Sequence, residues 1–225
     1  TIINDIRKKI SNINIDLIYG LPGQTFESIK KDIEIATGLD IPSITYYRLW
    51  FKESVSPVKP FMEYYDVNAF PKAAEIVAMK IFISDLLENA GYNEYMSSWY
   101  IRNQANKNKY QEKCWRNSPY IGFGVGAYSF LNNVQFKNRC FLDDYYDDLS
   151  DGLLPICSKY ELENDEIKMR ELMLGLKFRN GIEIDQTILT PDIKDKLKVL
   201  CNEKLLENEK SGRIRFTKDG YYVAD

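Results

Sequence analysis

The architecture of this chain can be worked out from one segment, Asn14-Ile15-Asp16-Leu17-Ile18-Tyr19-Gly20-Leu21-Pro22-Gly23-Gln24-Thr25. Apolar and more polar residues alternate as far as Tyr19, which is the period of a β-strand with one helix-packed face and one more polar face. Asn14 and Asp16 share the polar face. An unpaired carboxylate in an apolar setting costs several kcal/mol. We therefore expect Asp16 to be buried, with its hydrogen bonds supplied by neighbouring residues or by a bound ligand.

A helix and a second strand follow this turn. Thr25 is a suitable N-cap, and apolar side chains then recur at helical spacing at Phe26, Ile29, Ile33 and Ala36. Residues 43–50 are rich in β-branched and aromatic side chains, which favour a strand. A strand, a helix and a strand in this order predict a βαβ unit, and hence an α/β protein with a parallel sheet.

The middle of the chain predicts a long helix between less regular stretches. Apolar residues over about 69–90 have helical spacing, and Gly91 is expected to end the helix. The Asn, Gln and Lys content of residues 102–113 is typical of a surface loop. The remaining predictions in this part are a looser stretch with Pro57 and Pro60 and short strands at about 92–96 and 120–125.

The character of the sequence changes at about residue 160. A helix that begins with acidic residues, a helix over about 191–206 and a hairpin through residues 210–212 predict a small winged-helix-like domain. We therefore divide the chain into residues 1–155 and 156–225. Residues 160–225 carry twelve Lys and Arg against fourteen Asp and Glu, so this domain lacks the positive charge expected of a nucleic-acid partner. We expect it to cap or shape the first domain.

Composition excludes several classes of function. The chain has 225 residues, 44% of them hydrophobic, and a formal net charge of −3, which is typical of an ordinary globular protein. It has no long apolar run, so we expect no membrane span and a cytoplasmic location. It has no histidine, which excludes Ser-His-Asp and Cys-His catalysis within this chain. Its four cysteines are far apart in sequence and predict reduced thiols rather than a metal site.

Two further motifs have more than one interpretation. Gly122, Gly124 and Ala127 fit the GxGxxA pattern, but the residues that follow do not predict the helix that a dinucleotide site requires. The glycines then favour either close approach to a ligand or tight packing between strands. Residues 143–148 are rich in aspartate, but Leu149 breaks the pattern of a calcium loop, so a solvated helical face is the simpler interpretation.

Taken together, these motifs resemble the coproporphyrinogen oxidase-like (HemN/HemW-like) family of the radical S-adenosylmethionine (radical SAM) proteins. The resemblance covers most of the chain and rests on a "DLIYGLPGQT" segment at Asp16 to Thr25, a "YxL" strand at Tyr47 to Leu49, a "GYxxYxxSxxxR"-like segment from Gly91 to Arg102, a glycine element from Gly122 to Ser129, and Leu174-Gly175-Leu176 followed by Arg179-Asn180-Gly181. It implies the C-terminal part of a partial TIM-like (β/α) barrel with a small helical C-terminal domain.

The same resemblance implies the cofactors and their contacts. Family members use S-adenosylmethionine and a [4Fe–4S] cluster, held by a CxxxCxxC loop, to release a 5′-deoxyadenosyl radical. That motif is absent from this sequence, so we expect it upstream and expect this fragment alone to be inactive. Asp16 would contact S-adenosylmethionine, Trp50 would lie beside it, and Tyr128 falls where a second S-adenosylmethionine is held. The expected partners are a tetrapyrrole or haem and an electron-donor protein.

Three departures from the family pattern leave the activity open. Met96 stands where many HemW-like proteins have glutamate, Tyr128 where they have histidine, and Tyr110-Gln111 where they have a His-Asn pair. The leading interpretation is a radical SAM oxidoreductase that resembles oxygen-independent coproporphyrinogen III oxidase. The alternatives are a haem chaperone that is not catalytic and a class C radical SAM methyltransferase.

Overall fold

The computed structural model describes residues 2–50, 67–184, 189–209 and 212–224. Its strands are β1 (Asn14–Tyr19), β2 (Ser43–Arg48), β3 (Asn93–Met96), β4 (Trp99–Ile101), β5 (Tyr128–Leu131), β6 (Val134–Asn138), β7 (Ile156–Glu161), β8 (Ile182–Glu183), β9 (Leu206–Asn208) and β10 (Arg213–Phe216). Its α-helices are α1 (Ile2–Arg7), α2 (Phe26–Gly38), α3 (Ala73–Asn89), α4 (Lys109–Trp115), α5 (Leu142–Ser150), α6 (Asn164–Gly175), α7 (Pro191–Asn202) and α8 (Lys218–Val223).

The predicted βαβ unit is confirmed. Strands β1 and β2 pair in parallel, and the sheet continues through antiparallel β4 and β3 in the order β1-β2-β4-β3. Thr25 caps α2 through its side-chain oxygen, which accepts the amide proton of Ser28 at 3.2 Å. The connection from β1 depends on Gly20, whose φ of +82° favours glycine and whose added Cβ would lie 2.7 Å from a methyl group of Ile76.

Helices α2 and α3 cover one face of this sheet. The apolar face of α2 and the long helix α3 pack on the side chains that β1, β2 and β4 direct to the same side. The buried core contains Tyr19, Ile29, Ile33, Ala36, Ile41, Ile44, Tyr46, Ile76, Met79, Ile83, Leu87, Tyr92 and Tyr100. The opposite face of β1 and β2 carries polar residues, as the alternation of the sequence predicts.

A buried ion-pair network crosses this core. Glu94 of β3 accepts from Lys80 Nζ of α3 at 2.7 Å and from Arg179 Nη2 at 2.9 Å. Burial raises the pKa of Tyr100, which lies beside Lys80, and the Glu94 carboxylate raises it further. The network joins α3 and β3 to Arg179, which lies 85 residues beyond Glu94 in the sequence.

The middle of the chain departs from two predictions. Residues 102–113, expected to form a surface loop, contain a 3-10 helix at Gln104–Asn106 and most of α4. Residues 120–125 do not form the expected strand, since only Tyr120 pairs, in a bridge with Phe130. The looser stretch with Pro57 and Pro60 lies outside the described residues.

Two antiparallel sheets complete the fold. Strands β5, β6 and β7 form one, with α5 between β6 and β7 in the chain, and the order β8-β10-β9 forms the other, with α6, α7 and α8. The pairing of β9 with β10 confirms the predicted hairpin, although residues 210 and 211 of its turn lie outside the described residues. The domain boundary after residue 155 stays a prediction; β7 begins there and pairs with β6. None of the described helices is long and apolar enough to span a membrane.

Candidate functional site

The polar face of β1 and β2 carries a hydrogen-bonded chain of four side chains. The strand register places Asn14 opposite Ser43 and Asp16 opposite Thr45. Asn14 Nδ2 donates to Asp16 Oδ1 at 2.6 Å and to Thr45 Oγ1 at 2.9 Å. The Ser43 hydroxyl donates to Asn14 Oδ1 at 2.7 Å, which fixes the amide orientation. Asn14 therefore orients the Asp16 carboxylate and leaves its second oxygen available for a ligand.

The expected burial of Asp16 is wrong. Its side chain is exposed, because β1 is an edge strand within the described part of the chain and no further strand covers it there. Its hydrogen-bond partner is the neutral Asn14, and no described lysine or arginine forms an ion pair with it. Water thus supplies most of the solvation that we expected neighbouring strands to provide. Its cofactor role stays a prediction.

Asp16 and Trp50 line the same pocket, which has a volume of about 340 Å³. Trp50 follows β2 and is 68% exposed, with the guanidinium of Arg48 lying 5.6 Å from the centre of its ring. The remaining lining residues are Thr45, Tyr47, Arg48, Ser97, Ser98, Trp99, Gln111, Trp115 and Lys177. The pocket therefore combines a carboxylate, hydroxyl groups, two cations and several aromatic rings.

Most of the other residues that line this pocket were not predicted from the sequence. The turn between β3 and β4 supplies Ser97 and Ser98, and Ser98 has a φ of +64°. The Ser97 amide donates to the Lys177 carbonyl at 2.8 Å, and the Tyr46 amide donates to the Ser98 carbonyl at 2.9 Å. Ser98 has a place in the "GYxxYxxSxxxR"-like motif, and Gln111 stands at a position of the family pattern, but neither was assigned to this pocket.

Tyr128 is not among the residues that line this pocket. It begins β5, pairs with Lys137 of β6, and is about half exposed. Lys137 Nζ lies 5.1 Å from the centre of the Tyr128 ring. Hydrogen bonding to the Cys140 side chain, and then to Tyr128, raises the pKa of Lys137. The structure therefore brings together two of the three predicted cofactor residues.

At Gly122, the first glycine of the glycine element, the structure favours tight packing between strands. A Cβ added at Gly122 would overlap the carbonyl oxygen of Tyr128, and the Gly122 amide donates to the buried Ser129 hydroxyl at 3.0 Å. Asn138 Nδ2 donates to the carbonyls of Gly122 and Gly124 at 3.2 and 2.9 Å. A strand, β5, follows where a dinucleotide site would begin a helix, so the dinucleotide interpretation is excluded.

The described residues offer no metal centre. Within them, no group of three or more His, Cys, Asp or Glu side chains is arranged to hold an ion. All four cysteines are free thiols, as predicted. The aspartates of residues 143–148 lie on the solvated helix α5, where Asp148 pairs with Arg139 at 2.7 Å.

The chain is similar to proteins of haem metabolism. It is 28% identical to the haem chaperone HemW of Lactococcus lactis over 95% of this chain, and 33% identical to that of Buchnera aphidicola (Acyrthosiphon pisum) over 80%. It is 25% identical to the oxygen-independent coproporphyrinogen III oxidase of Synechocystis over 73% of this chain. These matches span 56%, 54% and 37% of the respective relatives, about half of each HemW. No family model matches the chain.

The fold is also that of a solved radical SAM enzyme. Coproporphyrinogen III oxidase (HemN) from Escherichia coli superposes with a TM-score of 0.75 over 99% of this chain and 55% of that enzyme, at 17% sequence identity. This likeness confirms the predicted α/β fold with a partial barrel. The sequence relatives and this shared fold match the HemN/HemW-like family that the motifs resemble.

Proposed function

We propose that this chain supplies the S-adenosylmethionine pocket of a radical SAM oxidoreductase that acts on a tetrapyrrole. The observation that carries the proposal is that Asp16 and Trp50, which the family motifs assign to S-adenosylmethionine, line one pocket. The chain spans about half the length of its HemW relatives, so the activity belongs to the whole protein.

The pocket has the groups that S-adenosylmethionine needs. A volume of about 340 Å³ lies within the range of small-molecule sites. Asp16 can accept hydrogen bonds from ribose hydroxyls or an ammonium group, while Arg48 and Lys177 can pair with a carboxylate. The exposed indole of Trp50 offers a surface on which an adenine ring can stack. When bound beside a reduced iron–sulfur cluster, S-adenosylmethionine supplies radical hydrogen abstraction.

The residues of this chain would bind and orient the cofactor rather than transfer protons. Asn14 holds the Asp16 carboxylate at 2.6 Å, and Ser43 holds Asn14 at 2.7 Å, so the acceptor is fixed before a ligand binds. The described residues do not fit a [4Fe–4S] cluster, because they contain no suitable group of ligands. The proposal therefore assigns that cluster to a CxxxCxxC loop outside this sequence.

A haem chaperone is the second candidate function. It is favoured by the relatives named HemW, one of which matches 95% of this chain. The oxidase candidate is favoured by the likeness to Synechocystis coproporphyrinogen III oxidase. The two candidates share the tetrapyrrole but differ in whether S-adenosylmethionine is consumed.

Calorimetry on the whole protein tests the pocket. Asp16→Asn should weaken S-adenosylmethionine binding about tenfold, because a lost hydrogen bond to a charged group corresponds to roughly 1.5 kcal/mol. Asp5→Asn, which changes an exposed aspartate of α1, is the matched control and should leave the affinity unchanged. Equal affinity of Asp16→Asn and the control would refute the role given to Asp16.

Product analysis separates the two functions. An oxidoreductase should form 5′-deoxyadenosine when it is reduced in the presence of coproporphyrinogen III and S-adenosylmethionine. A chaperone should bind haem tightly without forming that product. The second result would overturn the oxidoreductase proposal and leave the S-adenosylmethionine pocket to be judged by calorimetry.

A further inference from the structure

Two exposed cysteines lie close together at one end of the β5-β6-β7 sheet. Cys140 lies just after β6, and Cys157 lies within β7. Both thiols are directed at the same atom, the carbonyl oxygen of Asn138, at 4.0 Å and 3.2 Å respectively. Because both sulfurs approach one oxygen, they can be no more than about 7 Å apart.

The strand register explains why Cys157 is available. Lys137 pairs with Ser158, but the next residue, Asn138, pairs with Ile156, so the register shifts by one residue at this point. The shift leaves Cys157 as the extra residue of a β-bulge, outside the regular ladder. A bulge redirects the side chain of its extra residue, and here that side chain lies on the side of Cys140.

The surroundings of these thiols are cationic. The Cys140 side chain raises the pKa of Lys137. Arg139 directly precedes Cys140 in sequence and pairs with Asp148 at 2.7 Å. A neighbouring cation stabilises a thiolate, which is the nucleophilic form of cysteine.

A metal site is not supported at this position. Two thiols make an incomplete ligand set for zinc or for an iron–sulfur cluster, and the described residues supply no group of three ligands. The remaining cysteines differ from this pair. Cys114 in α4 and Cys201 in α7 are partly buried.

We propose that Cys140 and Cys157 form a redox-active dithiol, which a low-molecular-weight disulfide such as oxidised glutathione converts reversibly to an intramolecular disulfide. The Cys140 thiolate attacks one sulfur of the oxidant, forming a mixed disulfide and releasing one glutathione thiolate. Cys157 then attacks the Cys140 sulfur, closing the protein disulfide and releasing the second glutathione. Two protein thiols are oxidised, one external disulfide is reduced, and the two protein protons pass to the released thiolates.

The disulfide would form beside the residues that anchor the glycine element. The Asn138 side chain holds the carbonyls of Gly122 and Gly124, and the Arg139 carbonyl accepts the Gly126 amide proton at 2.7 Å. A disulfide would tie the backbone that anchors this element to β7. The inference stands independently of the S-adenosylmethionine pocket.

Thiol mapping on the full chain tests the proposal. The chain is incubated with oxidised glutathione, free thiols are alkylated, and peptides are mapped by mass spectrometry without reduction. We expect one disulfide between Cys140 and Cys157, reversed by dithiothreitol, with Cys114 and Cys201 alkylated. Cys157→Ser should instead retain glutathione on Cys140. Glutathione on both cysteines of the unaltered chain, or a disulfide between two chains, would overturn the proposal.

A lysine variant tests the order of the two steps. Lys137→Met should slow disulfide formation about three- to tenfold, because a neighbouring cation no longer favours the attacking thiolate. Lys159→Met, which changes an exposed lysine of β7, is the matched control and should react at the original rate. Equal rates for Lys137→Met and Lys159→Met would refute attack by Cys140 assisted by Lys137.

Discussion

Removal of the Glu94 charge should destabilise the fold more than any surface change. Glu94 Oε1 accepts from Lys80 Nζ and from the Ser98 amide, each at 2.7 Å, and Glu94 Oε2 accepts from Arg179 Nη2 at 2.9 Å. The side chains of Lys80 and Glu94 are 0% and 1% exposed. Glu94→Gln keeps the shape but directs an amide NH₂ group at one of these donors.

The expected loss of unfolding free energy depends on which charge remains buried without its partner. Breaking a buried ion pair from one side costs about 3–5 kcal/mol, because the remaining charge has neither water nor a counter-ion. Lys80→Met should cost less, about 1–2 kcal/mol, because Glu94 keeps the Ser98 amide and Arg179. The surface control Glu34→Gln, which removes an exposed pair with Lys30, should cost less than about 0.5 kcal/mol.

Urea unfolding followed by tryptophan fluorescence measures these differences. The expected order of destabilisation is Glu94→Gln, then Lys80→Met, then Glu34→Gln, with similar slopes against urea for all three variants. A loss below about 1 kcal/mol for Glu94→Gln, or a larger loss for Lys80→Met than for Glu94→Gln, would refute the reasoning from buried charge.

Three further changes test other parts of the fold. Thr25→Ala should lower the free energy of unfolding by about 1 kcal/mol in urea titrations, because α2 loses its N-cap. Gly122→Ala should lower the thermal midpoint, since the new Cβ would overlap the Tyr128 carbonyl. Tyr160→Phe should raise the pKa of Glu166 in an NMR titration, because the Tyr160 hydroxyl donates to that carboxylate and lowers its pKa. A depressed pKa of Glu166 stabilises the fold at pH values above the ordinary carboxyl pKa, and this stabilisation is lost as the pH falls through the depressed pKa. Tyr160→Phe should therefore make the stability of the fold less dependent on pH in this range.

The βαβ unit was predictable because its signals are local. Alternation fixes which face of β1 is polar, the Thr25 cap fixes where α2 begins, and Gly20 permits the turn between them. The Gln24 side chain then accepts the Gly20 amide proton at 2.7 Å within this turn. Each signal lies within a few residues of the element that it specifies.

Helix α4 could not be predicted from the polar composition of its segment. Asn108 caps it through its side chain, which is a local signal. Its apolar contact, however, is made by Trp115, whose ring meets that of Phe178 edge-on at 6.4 Å. Phe178 is distant in sequence, so the apolar surface that holds this helix is absent from any local window.

The candidate site was predictable only in part. Asp16 and Trp50 come from the two strands that the sequence identifies, and they do line one pocket. Lys177 and Trp115 reach that pocket from segments far along the chain, and no spacing pattern relates them to β1. The exposure of Asp16 was missed because the sequence pattern does not show that β1 lies at the edge of its sheet in the described part of the chain.

The Glu94 network explains how those distant segments meet at the pocket. β3 is the last strand of its sheet, and the Met96–Phe178 bridge covers its open edge. The Arg179 amide donates to the Tyr95 carbonyl at 3.1 Å, while the Arg179 side chain reaches Glu94. One carboxylate therefore holds both the serine turn of the pocket and the chain that leads from α6 into the C-terminal sheet. A change that loosens this chain segment should alter the serine turn of the pocket through Glu94, even though Glu94 does not itself line the pocket.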